Sequence, residues 1–124
     1  MKKIIIASLL ASNIGSAFAE WTPVSETDLG RVYMDIKTIR KEGHTRIVWL
    51  IYDLKQRNKN GEMSYRLRKE YDCKEERIRT HVYSLHSESM ANGQTLFNQS
   101  SLTPWREIAP DTMAASELEM VCTK

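Results

Sequence analysis

Met63-Ser64-Tyr65-Arg66-Leu67-Arg68-Lys69-Glu70-Tyr71-Asp72-Cys73 alternates from end to end. Met63, Tyr65, Leu67, Tyr71 and Cys73 fall on one side, with Lys69 as the odd member; Ser64, Arg66, Arg68, Glu70 and Asp72 fall on the other. A period of two that separates an apolar from a polar set marks an antiparallel strand packed on one face and wetted on the other. A slip of one residue would bury the five polar side chains, so the register is well specified.

Upstream, Gln56–Gly61 is a polar hairpin turn, with Asn60-Gly61 the pair that most easily takes positive φ. Before it, Thr45–Leu54 is the most apolar stretch after the N-terminus, β-branched and aromatic throughout. It reads as a central strand covered on both faces, with Trp49 in the core. Arg40–Gly43 is a polar turn, Gly30–Ile36 alternates as a strand, and Glu20–Val24 is a short extended piece closed by Pro23. Downstream, Ile78–Leu85 is the next strand, with Ile78, Thr80 and Val82 on one side and Arg79, His81, Tyr83 and Leu85 on the other. Ser87–Gly93 is a loop and Thr95–Asn98 a short edge strand. Pro104 and Pro110 bracket an extended connection holding Trp105 and Ile108.

The period then changes. Asp111 or Thr112 is placed to cap a helix over Met113–Val121, with Ala114, Leu118, Val121 and Cys122 on one side and Met113, Glu117 and Met120 flanking them. A helix that short is marginal alone. The fold class that follows is α+β, mainly β: a meander of antiparallel strands, with the C-terminal helix lying on the face that carries Cys73 and bonded to it through Cys122.

The N-terminus has signal-peptide form: Lys2 and Lys3, an apolar run from Ile4 to Leu10, then Ala17-Phe18-Ala19. The run is much shorter than the roughly 20 residues that span a bilayer. Cleavage before Glu20 removes residues 1–19 and leaves one domain, 20–124. Lys2 and Lys3 leave with the signal, so the formal charge of +2 vanishes and 16 basic residues face 16 acidic ones. Overall charge therefore makes no case for nucleic-acid binding. The two cysteines, Cys73 and Cys122, lie far from the cleavage site, so no N-terminal lipid anchor is expected; no later segment is apolar enough to cross a membrane. In an exported chain they are expected to pair, closing a loop of 49 positions for roughly 4 kcal/mol in the chain-entropy model. Two free thiols or half a metal site are the alternatives, though His44, His81 and His86 show no zinc-finger spacing.

No motif for catalysis, cofactor or metal is present: no phosphate loop, no His-Glu-x-x-His, no nucleophile elbow. Asp35 and Asp53 form a catalytic pair only if the fold joins them; each more simply ends a strand and caps a turn. His81 and His86, five apart, would point to opposite faces of a continuing strand. The tyrosines and tryptophans do not interleave with basic residues as a nucleic-acid platform requires. Nine basic residues do cluster between Lys55 and Arg79: Lys55, Arg57, Lys59, Arg66, Arg68, Lys69, Lys74, Arg77 and Arg79. Arg66, Arg68, Lys69, Arg77 and Arg79 are the candidate partner-binding set, suited to a polyanion or an acidic protein. The interspersed Glu62, Glu70, Asp72, Glu75 and Glu76 fit equally a solvated face that keeps the sheet soluble.

Trp21, Tyr33-Met34-Asp35, Val48-Trp49 with Asp53, Ser64, Glu70-Tyr71-Asp72-Cys73, Tyr83, Pro104-Trp105 with Ile108 and Pro110, and Val121-Cys122 together resemble the surface-adhesin protein E-like domain across nearly the whole mature chain. The resemblance implies a curved sheet of about six strands with a disulfide-tethered C-terminal helix. It also implies a non-enzymatic exported protein that binds host extracellular-matrix proteins and forms dimers. The founding adhesin is lipid-anchored, and this chain lacks that cysteine, so a periplasmic or secreted location is expected. A soluble periplasmic protein that binds an envelope component or inhibits an enzyme is the alternative.

Overall fold

The strand face that begins at Met63 does pack on a helix, and the disulfide joins the two. The structure is a computed structural model and describes residues 20–123. The expected signal peptide lies outside the described residues. The strands are β1 (Trp21–Glu26), β2 (Gly30–Asp35), β3 (Arg40–Glu42), β4 (Thr45–Leu54), β5 (Ser64–Asp72), β6 (Arg77–His86), β7 (Thr95–Gln99) and β8 (Arg106–Glu107); α1 (Met113–Cys122) follows. All strands join one antiparallel sheet with the order β1-β2-β4-β5-β6-β7, while β3 pairs with β4 and β8 with β6. The six-strand path is the expected meander. The two short strands were not legible as strands.

β3 exists because β2 pairs with β4 only from Met34↔Leu50 to Gly30↔Leu54, leaving Thr45–Ile47 without a neighbour on that side. The polar stretch Arg40–Glu42 folds back onto it around Gly43, whose φ of +59° suits a residue without a Cβ. Gly30 has a different constraint: a Cβ there would stand 2.1 Å from the Asp53 carbonyl oxygen, so β2 and β4 meet closely only over glycine.

A β-bulge at Arg68/Lys69 corrects the alternation expected of β6. Val82 pairs with Arg68 and Thr80 with Lys69, so His81 is the extra residue. Ile78 and Thr80 therefore share the helix-covered inner face with Tyr83 and Leu85, and Val82 joins Arg79 on the outer face.

The helix begins at Thr112, not Asp111: the Thr112 hydroxyl accepts from the Ala115 N–H at 3.1 Å. The inner face and α1 bury Val32, Met34, Val48, Leu50, Tyr71, Ile78 and Val121. The Cys73–Cys122 bond closes over 5.8 Å between Cα atoms, across 49 positions. Replacing both cysteines with serine should cost about 4 kcal/mol in the chain-entropy model, read as a lower denaturant midpoint. A midpoint that does not move would show that the loop is already restrained without the bond.

Candidate functional site

On the outer face, β4 and β5 set Trp49 directly opposite Arg68, with Arg66 on the diagonal. The Arg66 guanidinium carbon lies 4.4 Å from the Trp49 ring centre, and that of Arg68 lies 6.0 Å away. Trp49 is thus a half-buried outer-face residue, not the core residue the run of apolar neighbours implied. A second arrangement of the same kind stands at the other end of the face. Trp105, in the connection leading to β8, lies under Arg79 at 4.1 Å and Arg77 at 4.8 Å. Aromatic and basic side chains therefore interleave in space although they do not in sequence, because each tryptophan comes from a neighbouring segment. Such stacks contribute about 0.5–1 kcal/mol each at exposed sites and orient the guanidinium.

The two arginine pairs differ in charge balance. Arg77 donates to Asp72 at 2.7 Å, and Arg79 Nε donates to Glu70 at 2.8 Å. His81 Nε2 also meets that Glu70 oxygen at 2.8 Å. The Arg77 hydrogen bond and the backbone N–H groups of Lys74 and Glu75 hold the Asp72 carboxyl below its usual pKa. Burial pushes Glu70 up, but the bonds from His81 and Arg79 outweigh it and leave Glu70 lowered as well. By contrast, no carboxylate among the described residues pairs with Arg66 or Arg68. The Arg66 charge reaches His86, whose pKa burial lowers first and Arg66 lowers further. Of the wider run, Lys55 pairs with Glu26 and Arg57 with Glu88, at the far end of the sheet. The sequence cluster of nine therefore leaves Arg66 and Arg68 as its outer-face cations without an acid beside them.

Lys69 does not belong to this face. Strand alternation turns it inward, where it is 8% exposed and 3.4 Å from the fully buried Glu117. Tyr71 donates to Glu117 at 2.5 Å, Tyr52 donates to it at 3.0 Å, and Lys69 also contacts the Tyr52 hydroxyl. Burial pulls the Lys69 pKa down while the Glu117 carboxylate pulls it back up. Burial and the neighbouring Glu117 push both phenols well above their ordinary range. Reading Glu117 as a flank of the helix missed this: it is the centre of the buried face. An unpaired basic residue inside an apolar strand face is the signal that called for a buried acid across the interface.

The other candidates resolve simply. Asp53 accepts from the Ser89 hydroxyl and the Met90 N–H at 2.8 Å each, capping a turn. Asp35 pairs in register with Trp21, at the opposite end of β2 from Asp53's partner Arg31, so the two carboxylates do not converge. The bulge carries His86 to the outer face, where it meets Ser84 at 2.8 Å. Among the described residues no group of three or more His, Cys, Asp or Glu side chains is placed to hold a metal ion.

The family described as surface-adhesin protein E matches residues 21–123. The chain belongs to that family. Family membership makes it a surface-adhesin-like protein. Protein E from Haemophilus influenzae, in one crystal form, superposes with a TM-score of 0.62 at 15% identity, over 74% of this chain and 80% of that one. Protein E from non-typeable Haemophilus influenzae gives 0.61 at 13% identity, over 83% of this chain and 75% of that one. At such identities the likeness is one of fold. It bears out the curved antiparallel sheet with its tethered helix. No curated protein matches the sequence. No described helix is long and apolar enough to cross a membrane.

Two outcomes test the charge arrangement of this adhesin-family domain. Glu117→Ala should destabilise by about 3–5 kcal/mol, because it strands the Lys69 ammonium. Lys69→Met combined with Glu117→Leu should recover most of that loss in chemical denaturation. Asp72→Asn should be less stable than the parent at neutral pH. The Asp72 pKa is depressed in the fold, so its contribution is present above the unfolded value of about 3.9 and is lost as pH falls through the folded one. The deficit should close below about pH 4.

Proposed function

We propose that this chain is an exported, non-enzymatic binding protein that engages an acidic partner, a matrix-type protein or a polyanion, through its outer sheet face. Residues 1–19 are the signal and 20–124 the working domain, released to the periplasm or the exterior. The observation that supports the reading is the pair Arg66 and Arg68 around Trp49: two guanidinium groups held by an aromatic ring, facing outward, with no carboxylate among the described residues paired to them. Side chains on one strand face, two residues apart, are within reach of one ligand. Arg77 and Arg79 are occupied by Asp72 and Glu70, and their contribution is to shape the neighbouring surface.

The two pairs give the reading a direct test. The mature chain should bind immobilised heparin or matrix proteins with an affinity that falls steeply as salt rises. Arg66→Ser with Arg68→Ser should weaken binding about tenfold or more, and Arg77→Ser with Arg79→Ser much less. Equal affinity of the parent and the Arg66/Arg68 variant would remove the face from the reading.

A further inference from the structure

Arg66 stands opposite Ile51 on β4, so its two diagonal neighbours on the outer face are Trp49 and Asp53. A guanidinium gains more from a carboxylate than from an indole. On the same face Arg77 and Arg79 each take the acid within reach, Asp72 and Glu70. Arg66 instead lies 4.4 Å over Trp49 and makes no ion pair with Asp53. The Asp53 carboxylate is engaged elsewhere. Both of its oxygens accept from the Ser89 hydroxyl at 2.8 Å, and one also accepts from the Met90 N–H at 2.8 Å. These donors belong to residues 87–93, a strap that packs over the outer face at one end of β4 and β5, where Ser64 and Ile51 are 0% and 1% exposed. The buried Ser64 hydroxyl is a second fastening: it donates to the Glu88 carbonyl at 2.6 Å and accepts from the Ala91 N–H at 2.8 Å. The strap is strained, for Met90 and Ala91 have φ of +57° and +60° although neither is glycine. Such residues persist only where their surroundings over-determine them, as in switches and ligand clamps.

From this we infer that the strap keeps the cationic face active by holding Asp53 away from Arg66, and that lifting the strap turns the face off. With the strap down, the carboxylate is occupied by Ser89 and Met90, and Arg66 rests on Trp49 with its charge uncancelled. With the strap lifted, the carboxylate loses those donors and Arg66 is the cation on its diagonal. Arg66 then exchanges the indole for Asp53, as Arg79 and Arg77 already hold Glu70 and Asp72. Lifting also relieves Met90 and Ala91 of their left-handed backbone, which offsets part of the hydrogen bonding and burial lost. The two arrangements therefore form a discrete switch between order and release of one segment. The strap carries a second acid, Glu88, but Arg57 holds it at 3.4 Å, so Asp53 is the charge that lifting sets free. The effect on binding rests on the outer-face reading above; the exchange of partners at Arg66 does not.

Gly93 is the place to loosen the strap. Its φ is +77°, and a Cβ there would stand 2.3 Å from the Ser87 hydroxyl oxygen and 2.7 Å from Glu88 Cγ. Ser89→Ala with Gly93→Ala should lift the strap and weaken binding of the mature chain to immobilised heparin about fivefold. Adding Asp53→Asn removes the competing charge and should restore binding to within about twofold of the parent, a recovery that a misfolded chain could not show. Ser89→Ala alone, at an exposed side chain, should act in the same direction with a smaller effect. A strap variant that binds as tightly as the parent overturns the inference, and so does a folded triple variant that stays weak. A double-mutant cycle on Asp53→Asn and Arg66→Ser, read by chemical denaturation, needs no ligand. It should show no coupling in the parent and a favourable coupling in the strap variant; equal coupling in the two, present or absent, overturns the switch. A parent that ignores heparin at every salt concentration sinks the outer-face reading alone, and the cycle still decides the exchange at Arg66.

Discussion

One short helix held against one strand by two different bonds organises this molecule. Lys69 projects from the inner face of β5 and Cys73 directly follows that strand; Glu117 and Cys122 of α1 meet them, one as a buried ion pair and one covalently. The two attachments have different physics. The disulfide acts mainly by shortening the unfolded chain's reach and is indifferent to small changes in packing. The Lys69–Glu117 pair adds little net stability, since both charges are stripped of water, but it penalises any helix position in which either lacks its partner. Tyr52 and Tyr71 complete the shell around the carboxylate. The helix is therefore fixed in rotation as well as tethered.

The consequence is a sheet with two unequal faces. With the inner face filled by Val32, Met34, Val48, Leu50 and Tyr71 under Val121, the surplus of charged residues on β5 and β6 has only the outer face to occupy. There the paired strands sort the cations. Acids at Glu70 and Asp72 neutralise Arg79 and Arg77, and Trp49 stands where an acid would have neutralised Arg66 and Arg68. An indole orients a guanidinium without cancelling its charge, whereas a carboxylate does both. That difference separates two pairs that look alike in the chain.

Much of the architecture was legible in local pattern. β4 has the bounds its continuous apolar run implied, and β5 differs from the alternating run by one residue at each end, because a long β-branched run and a sustained period of two are both strong strand signals. The cysteine pairing was expected from the exported character of the chain, and the alternation put Cys73 on the face that the helix covers. β3 and β8 were missed because backbone pairing alone makes them strands; their side chains are exposed and polar. The faces of β6 were misassigned beyond Thr80 because a bulge depends on two strands at once.

What the chain determined by itself was the six-strand path, the terminal helix and the presence of a basic cluster, since each rests on periodicity, spacing or composition within one segment, and the disulfide, since an exported chain with two cysteines pairs them. What only the tertiary structure decided was which of those cations are free. Lys69, which alternation already placed on the apolar side, was taken out of the binding set by its pairing with the buried Glu117. Arg77 and Arg79 were neutralised by residues five and nine positions earlier in the chain. Trp49 left the core for the outer face because strand pairing set it opposite Arg68. Charge becomes available for binding through its neighbours in space, and which side chains become neighbours is set by the register between paired strands and by the position of the helix.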